Sequence, residues 1–109
     1  MNTIQKIELD TAKLLINGQL IESETQHWQD IVNPATQEVI GRVPFATVQE
    51  VDAAIQAAQD AFATWRQTPI QARMRIMLKL QDLIRANMKE IAKVLTAEQG
   101  KTLADAEGD

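Results

Sequence analysis

The chain of 109 residues contains no cysteine and only one histidine, His27. Without thiols it can hold no disulfide framework, no thiolate zinc site and no cysteine nucleophile. Its four glycines, Gly18, Gly41, Gly100 and Gly108, are too scattered for the strand-to-helix turn that cradles a dinucleotide pyrophosphate, or for a Walker loop. A cationic block is also missing. Eleven basic residues are dispersed among fifteen acidic ones, for a formal net charge of −4. This excludes the usual electrostatic footprint of a nucleic-acid binder and a polybasic route to anionic membranes. No apolar run approaches the length of a transmembrane helix. The first twenty residues include Glu8 and Asp10 and resemble neither a secretory signal nor an Arg-rich transit peptide. The resulting expectation is a cytoplasmic, bacterial-like protein with no nucleic-acid or membrane partner.

What is present is a chain of two halves. Hydrophobic residues make up 45% and charged residues 24%, which supplies material for a core in an ordinary soluble composition. Residues 1–13 read as an N-terminal tail, 14–45 as a β meander and 46–109 as a helical segment. Leu14-Leu15-Ile16 and Gln19-Leu20-Ile21 flank Asn17-Gly18, a pair that tolerates the positive φ angles of a type I′ hairpin turn. Trp28 to Val32 predicts another strand, closed by the Asn33-Pro34 turn. Glu38 to Val43 predicts a further one, stopped by Pro44. Together they predict one small antiparallel meander, too poor in large apolar groups to stand without support.

Thr47-Val48-Gln49-Glu50 fits a capping box. Val51, Ala54, Ile55, Ala58, Phe62 and Trp65 then step by three or four residues along one face of a first helix. Thr68-Pro69-Ile70-Gln71 repeats the start signal, with Thr68 as cap, and predicts a second helix to about Asn87. Its apolar positions, Ile70, Met74, Ile76, Met77, Leu78, Leu80, Leu83 and Ile84, span roughly 220° of the cylinder. A helix on a single layer needs little more than about 100°. This helix is therefore expected to be covered from two directions, the first helix supplying one. Met88, Ile91, Val94 and Leu95 predict a shorter third helix ended by a left-handed Gly100. Thr102 to Asp105 opens another helical signal near the end of the sequence, which suggests part of a longer chain. The fold class expected is α+β: a small antiparallel meander, then three to four amphipathic helices.

Candidate chemistry is sparse. His27 has Glu22, Glu24 and Asp30 nearby in sequence, but their spacing forms no recognised metal-ligand set, and a surface or packing role suits it better. Ser23, the only serine, has no triad around it. Arg73 and Arg75 lie on different sides of a helix and read as anchors, with stems over apolar surface or guanidinium groups on neighbouring carbonyls. Lys101 is placed to meet the negative end of the preceding helix, with nothing visible to depress its pKa. Met74, Met77 and Met88 read as helix-core residues. No catalytic, cofactor-binding or metal-binding residue is assigned.

Several segments together resemble the N-terminal region of the aldehyde dehydrogenase superfamily. They are Leu15-Ile16-Asn17-Gly18, Val32-Asn33-Pro34-Ala35-Thr36, Val39-Ile40-Gly41-Arg42-Val43-Pro44, Ala57 to Phe62 with Trp65, Arg73 to Met77, Leu83-Ile84 and Glu98-Gln99-Gly100-Lys101. Within the superfamily, Asn33 to Ile40 and Thr96 to Asp109 are most similar to the CoA-acylating methylmalonate-semialdehyde branch. Succinate-semialdehyde and betaine-aldehyde types are the nearest rivals. The resemblance implies an NAD-dependent enzyme several times longer, and a homo-oligomer. It would have a Rossmann-like α/β cofactor domain and a catalytic domain with a cysteine nucleophile. In that branch a semialdehyde, CoA and NAD give acyl-CoA and NADH with loss of carbon dioxide, a reaction of valine catabolism. It also implies that the nucleophile, general base, cofactor turn and oxyanion hole belong downstream of Asp109. This piece is then inert scaffold whose partner is the remainder of its own chain. A stand-alone helical interaction module descended from such an enzyme is the alternative.

Overall fold

The computed structural model describes residues 10–109; Met1 to Leu9, most of the expected tail, lie outside the described residues. Asp10–Thr11, read from the sequence as the end of that tail, form a short strand, β1. It pairs parallel to β5 (Val39–Pro44), with Asp10 opposite Gly41 and Thr11 opposite Arg42. On its other side β5 pairs antiparallel with β4 (Trp28–Val32), giving a three-stranded sheet in the order β1-β5-β4. A register shift lies at Ile31/Val32, just before the Asn33 turn.

The hairpin is separate. β2 (Leu14–Ile16) and β3 (Gln19–Ile21) form their own two-stranded sheet, so the single antiparallel meander expected from the sequence is corrected to two sheets with one parallel pair. The turn between them is as the sequence indicates, with Asn17 at φ 51° and Gly18 at φ 73°. The hairpin does not join the larger sheet because the connection after β3 turns onto the helices. Ser23 and Glu24 are held there by the side chain of Glu50.

Helix α1 (Val48–Trp65) starts at the expected capping box: Glu50 N–H donates to Thr47 Oγ1 at 3.2 Å and Thr47 N–H donates to Glu50 Oε2 at 2.8 Å. Helix α2 departs from expectation at both ends of its first segment. The residue preceding its first turn is Pro69 and no side chain caps it, so the Thr68–Gln71 box is not formed. Arg73 serves the other side of the junction, donating to three carbonyls at the end of α1 and in the α1–α2 corner. The expected break after Asn87 is also absent, for α2 runs unbroken from Ile70–Gln99. The region contains no proline or glycine to stop it, and Asn87 Nδ2 donates to Leu83 O at 2.8 Å. That bond runs back along the helix instead of opening a new start. At 1.5 Å per residue α2 is about 45 Å long. Gly100 ends it at φ 75°, and α3 (Leu103–Gly108) follows with Thr102 Oγ1 accepting from Asp105 N–H.

The elements enclose almost no core. Ala92 and Ala106, where α2 meets α3, are the buried hydrophobic side chains among the described residues. Every residue from Met74 to Ile91 is exposed. The cover that α1 was expected to give α2 is not made, since α1 rests on β2 and α2 rests on α3. The radius of gyration is 18.2 Å, against about 13 Å for a compact domain of this length.

Two glycines separate backbone strain from contact. A Cβ at Gly18 would meet nothing within 4 Å, whereas one at Gly100 would lie 2.9 Å from Pro34 Cγ in a stiff ring. Ala at either position incurs the left-handed backbone cost of about 1–2 kcal/mol. Gly100→Ala additionally pushes the end of α2 off the Asn33–Pro34 turn. Chemical denaturation followed by circular dichroism should therefore show a larger loss for Gly100→Ala than for Gly18→Ala. Pro34→Ala should recover part of the difference.

Candidate functional site

Two features organise the described surface: a polar latch at the start of α1 and an uncovered apolar face along the helices. The latch is built around Glu50. Besides closing the capping box, its Oε1 accepts from Glu24 N–H at 2.7 Å and its Oε2 accepts from Ser23 Oγ at 2.8 Å. Ser23 Oγ in turn accepts from Thr25 N–H at 3.2 Å. Thr25 is buried, its Oγ1 accepts from His27 N–H at 3.1 Å, and its carbonyl accepts from Trp28 Nε1 at 3.2 Å. One carboxylate thus ties the exit of the hairpin, the entry to β4 and the first turn of α1. The amide of Glu24, then that of Thr47, hold the Glu50 carboxyl below its ordinary pKa; desolvation opposes them, and the Ser23 and Thr47 hydroxyls add smaller lowering contributions.

The Thr47–Glu50 box is legible in the local spacing, but its reach to Ser23 and Glu24 is not. Those partners lie 27 and 26 residues away, and no local pattern announces them. Ser23 is accordingly a structural hydroxyl. His27 is exposed on an open groove of about 780 Å³, with Trp28, Phe45 and Val48 also lining it. Among the described residues no group of three or more His, Asp or Glu side chains could hold a metal ion. Arg73 donates to Thr68 O at 2.9 Å and to Trp65 O and Arg66 O at 3.1 Å, and it stacks over the Trp65 ring at 5.3 Å. This is the carbonyl-binding anchor expected of it. Arg75 is exposed, and Lys101 pairs with Asp109. Met74, Met77 and Met88, expected in a helix core, are exposed, with nothing among the described residues lying over them.

The helix starts do not suit a dinucleotide. At α1 the Glu50 carboxylate already occupies the amide of Thr47, and its charge would oppose a phosphate. At α2 the position before the first turn is proline, which has no N–H. At α3 the Thr102 hydroxyl takes the Asp105 amide and Asp105 adds an acid. None of these three helix starts presents a free set of amides to a pyrophosphate.

The apolar face is the larger feature. Ile70, Met77, Leu78 and Ile84 on one side of α2 and Ile76, Leu80, Leu83 and Val94 on the other are all exposed. Val48, Ile55 and Phe62 on α1 are exposed too. On the hairpin, the cross-strand pair Leu15 and Leu20 is 70% and 69% exposed. The solvent-accessible area is 9467 Å², where a compact monomer of this mass shows about 6,100 Å². Its surface is that of a part.

Comparison with known proteins decides of what. The profile of the Aldehyde dehydrogenase family matches residues 20–109. The chain belongs to that family. The human "Methylmalonate-semialdehyde/malonate-semialdehyde dehydrogenase [acylating], mitochondrial" is 57% identical over 99 residues, which are 91% of this chain and 18% of the relative. The Arabidopsis thaliana "Methylmalonate-semialdehyde dehydrogenase [acylating], mitochondrial" is 53% identical over 95 residues, 87% of this chain and 16% of the relative. The chain thus spans about a fifth of the length of the curated relatives it matches. Among solved structures, the methylmalonate-semialdehyde dehydrogenase of Oceanimonas doudoroffii superposes with a TM-score of 0.86 at 40% identity, covering 92% of this chain and 20% of that one. A structure from Sinorhizobium meliloti 1021, complexed with NAD, superposes with a TM-score of 0.89 at 34% identity, covering 94% and 21%. The strands and helices of this aldehyde dehydrogenase segment are therefore a family architecture. Among the described residues no helix is long and apolar enough to cross a membrane.

The latch has a defined pH response. Because the folded-state pKa of Glu50 is lowered, its contribution is complete above the ordinary value of 4.5 and is lost as pH falls through the folded value. Backbone amide resonances of Glu24 and Thr47 should shift together in that acid range. Glu50→Gln should remove the transition and leave those amides in their released positions at neutral pH. A transition that persists in the variant would assign it to another group.

Proposed function

We propose that this chain is the amino-terminal scaffold of a CoA-acylating semialdehyde dehydrogenase. The parent subunit converts methylmalonate or malonate semialdehyde, CoA and NAD into acyl-CoA and NADH with loss of carbon dioxide. The observation that carries this reading is 50–57% identity over nearly the whole chain to relatives that bear that name. Succinate-semialdehyde and betaine-aldehyde types are the rival parents.

The contribution of these residues is support. With no cysteine among them, they supply no thiolate to attack an aldehyde. With every helix start occupied by its own carboxylate, proline or hydroxyl, they leave the cofactor to the rest of the subunit. What they provide is a capped, locally satisfied set of strands and helices, and an apolar face for the remainder of the chain. Association of parent subunits into a homo-oligomer, and a place in valine catabolism, belong to the same proposal.

The test is an assay of a full-length subunit carrying this segment at its amino terminus, mixed with methylmalonate semialdehyde and NAD and read as NADH absorbance. NADH should form with production of an acyl-CoA when CoA is added, and the 109-residue chain alone should give none. Faster, CoA-independent turnover of succinate semialdehyde or betaine aldehyde would overturn the assignment of branch. NADH formation by the chain alone would overturn the scaffold role.

A further inference from the structure

The two residues that make the β2–β3 turn possible are also its chemically weakest point. We infer that Asn17-Gly18 is a site of spontaneous deamidation, and that the isoaspartate formed there unpairs the hairpin. Water is the co-reactant.

Ring closure at an asparagine needs a following N–H free to attack, no side chain in its path, and an amide not held elsewhere. Three asparagines lie among the described residues, and they differ in each respect. Asn33 precedes Pro34, which has no N–H, and its Oδ1 accepts from Ala35 N–H at 2.9 Å. Asn87 sits inside α2, where Met88 N–H belongs to the helix and Asn87 Nδ2 donates to Leu83 O at 2.8 Å. Asn17 is exposed, its side chain makes no hydrogen bond among the described residues, and Gly18 follows it. A Cβ at Gly18 would meet nothing within 4 Å, so the approach to its nitrogen is open. The tip also borders an open cavity of about 340 Å³ beside Ala54, Ala57 and Ala61, which admits water.

Closing the ring rotates the Asn17 backbone away from its left-handed turn conformation, φ 51°, so the tip must open first. That opening costs little. Each strand has three residues and the pair joins no larger sheet. Leu15 and Leu20, opposite one another, are 70% and 69% exposed. A two-stranded hairpin with so little cover is marginal in water, and such elements open without global unfolding.

In the open tip the Gly18 nitrogen bonds to Asn17 Cγ as the Cγ–Nδ2 bond breaks. Nδ2 leaves as ammonia, taking the proton lost from the Gly18 nitrogen, and a succinimide remains. Water then opens one of its two carbonyls. Attack at Cγ gives aspartate. Attack at the main-chain carbonyl gives isoaspartate, in which the chain runs through Cγ. Both products add one negative charge to a chain of net charge −4. Aspartate still suits the turn, since Asp-Gly is itself a hairpin pair. Isoaspartate inserts a carbon into the main chain, so the loop no longer sets Leu15 opposite Leu20 and Ile16 opposite Gln19.

The test ages the 109-residue chain and a full-length subunit in warm, mildly alkaline buffer, with and without denaturant. Peptide mass spectrometry reads amide loss at each asparagine. An isoaspartyl methyltransferase with labelled S-adenosylmethionine reads isoaspartate. Asn17 should react on the order of tenfold faster than Asn33 or Asn87, and denaturant should raise its rate by less than about tenfold. Stronger protection of Asn17 in either folded protein, rates equal at the three sites, or aspartate without isoaspartate would overturn the inference. Charge separation of the aged chain then isolates its acidic forms. Amide hydrogen exchange at Ile16 and Gln19 should be faster in the isoaspartate form than in freshly prepared Asn17→Asp, which carries the charge without the added carbon. Equal exchange in the two would overturn the unpairing of the hairpin.

Discussion

The Glu50 carboxylate collects hydrogen bonds from Ser23, Glu24 and Thr47, and the relative placement of hairpin, sheet and helices depends on that junction. In a domain with a packed interior such a cluster would be one interaction among many. Here the hydrophobic burial among described residues amounts to two alanines, so point contacts carry the arrangement. Arg73 at the α1–α2 corner and Gly100 against Pro34 are the other two. Each joins segments that hydrophobic packing within this chain leaves apart. Ordering the polar linker around one ionised group costs conformational entropy. Three hydrogen bonds to a charged acceptor offset it, because each is stronger than its neutral counterpart.

The same economy of burial explains why the segment can be locally well formed and globally open. Every helix has a start or stop resolved close to its own residues, by Thr47 and Glu50, by Arg73, by Gly100 and by Thr102. Secondary structure is thus secured before any large apolar surface is covered. Tertiary stability is a different matter, because hydrophobic burial is the dominant favourable contribution to folding. For a family whose members are about five times this length, that division suits a segment whose shape is prepared locally and whose stability comes from the subunit.

The parts legible in the sequence were those with short-range causes. Asn17-Gly18 specified its turn, Thr47 to Glu50 its capping box, and Gly100 and Thr102 the end of one helix and the start of the next. The wide apolar sector of α2 was also visible, together with its consequence that something must cover it. What could not be read depended on distant residues. β1 exists because Asp10 and Thr11 meet Gly41 and Arg42 about thirty residues later, in a parallel pairing with no turn signal. The division into two sheets follows from Glu50 capturing the linker, which no local spacing reveals. The break expected after Asn87 failed because the stretch from Ile70 to Gln99 holds no proline or glycine to interrupt a helix. The latch was half visible, its near side in the sequence and its far side only in space.

The continuity of α2 makes its length a fixed dimension. Its first turn is held at the corner with α1 through Arg73, and its last residue leads into Gly100 lying on Pro34 of the sheet turn. A helix held at both ends behaves as a strut of set pitch. One inserted residue would lengthen it by about 1.5 Å and rotate everything beyond by about 100°. Gly100 would then leave its proline, and every apolar position beyond the insertion would turn by the same angle. Substitutions along α2 are judged one side chain at a time, but insertions and deletions are judged against the whole frame, so the residue count between Pro69 and Gly100 is itself a structural property of this chain.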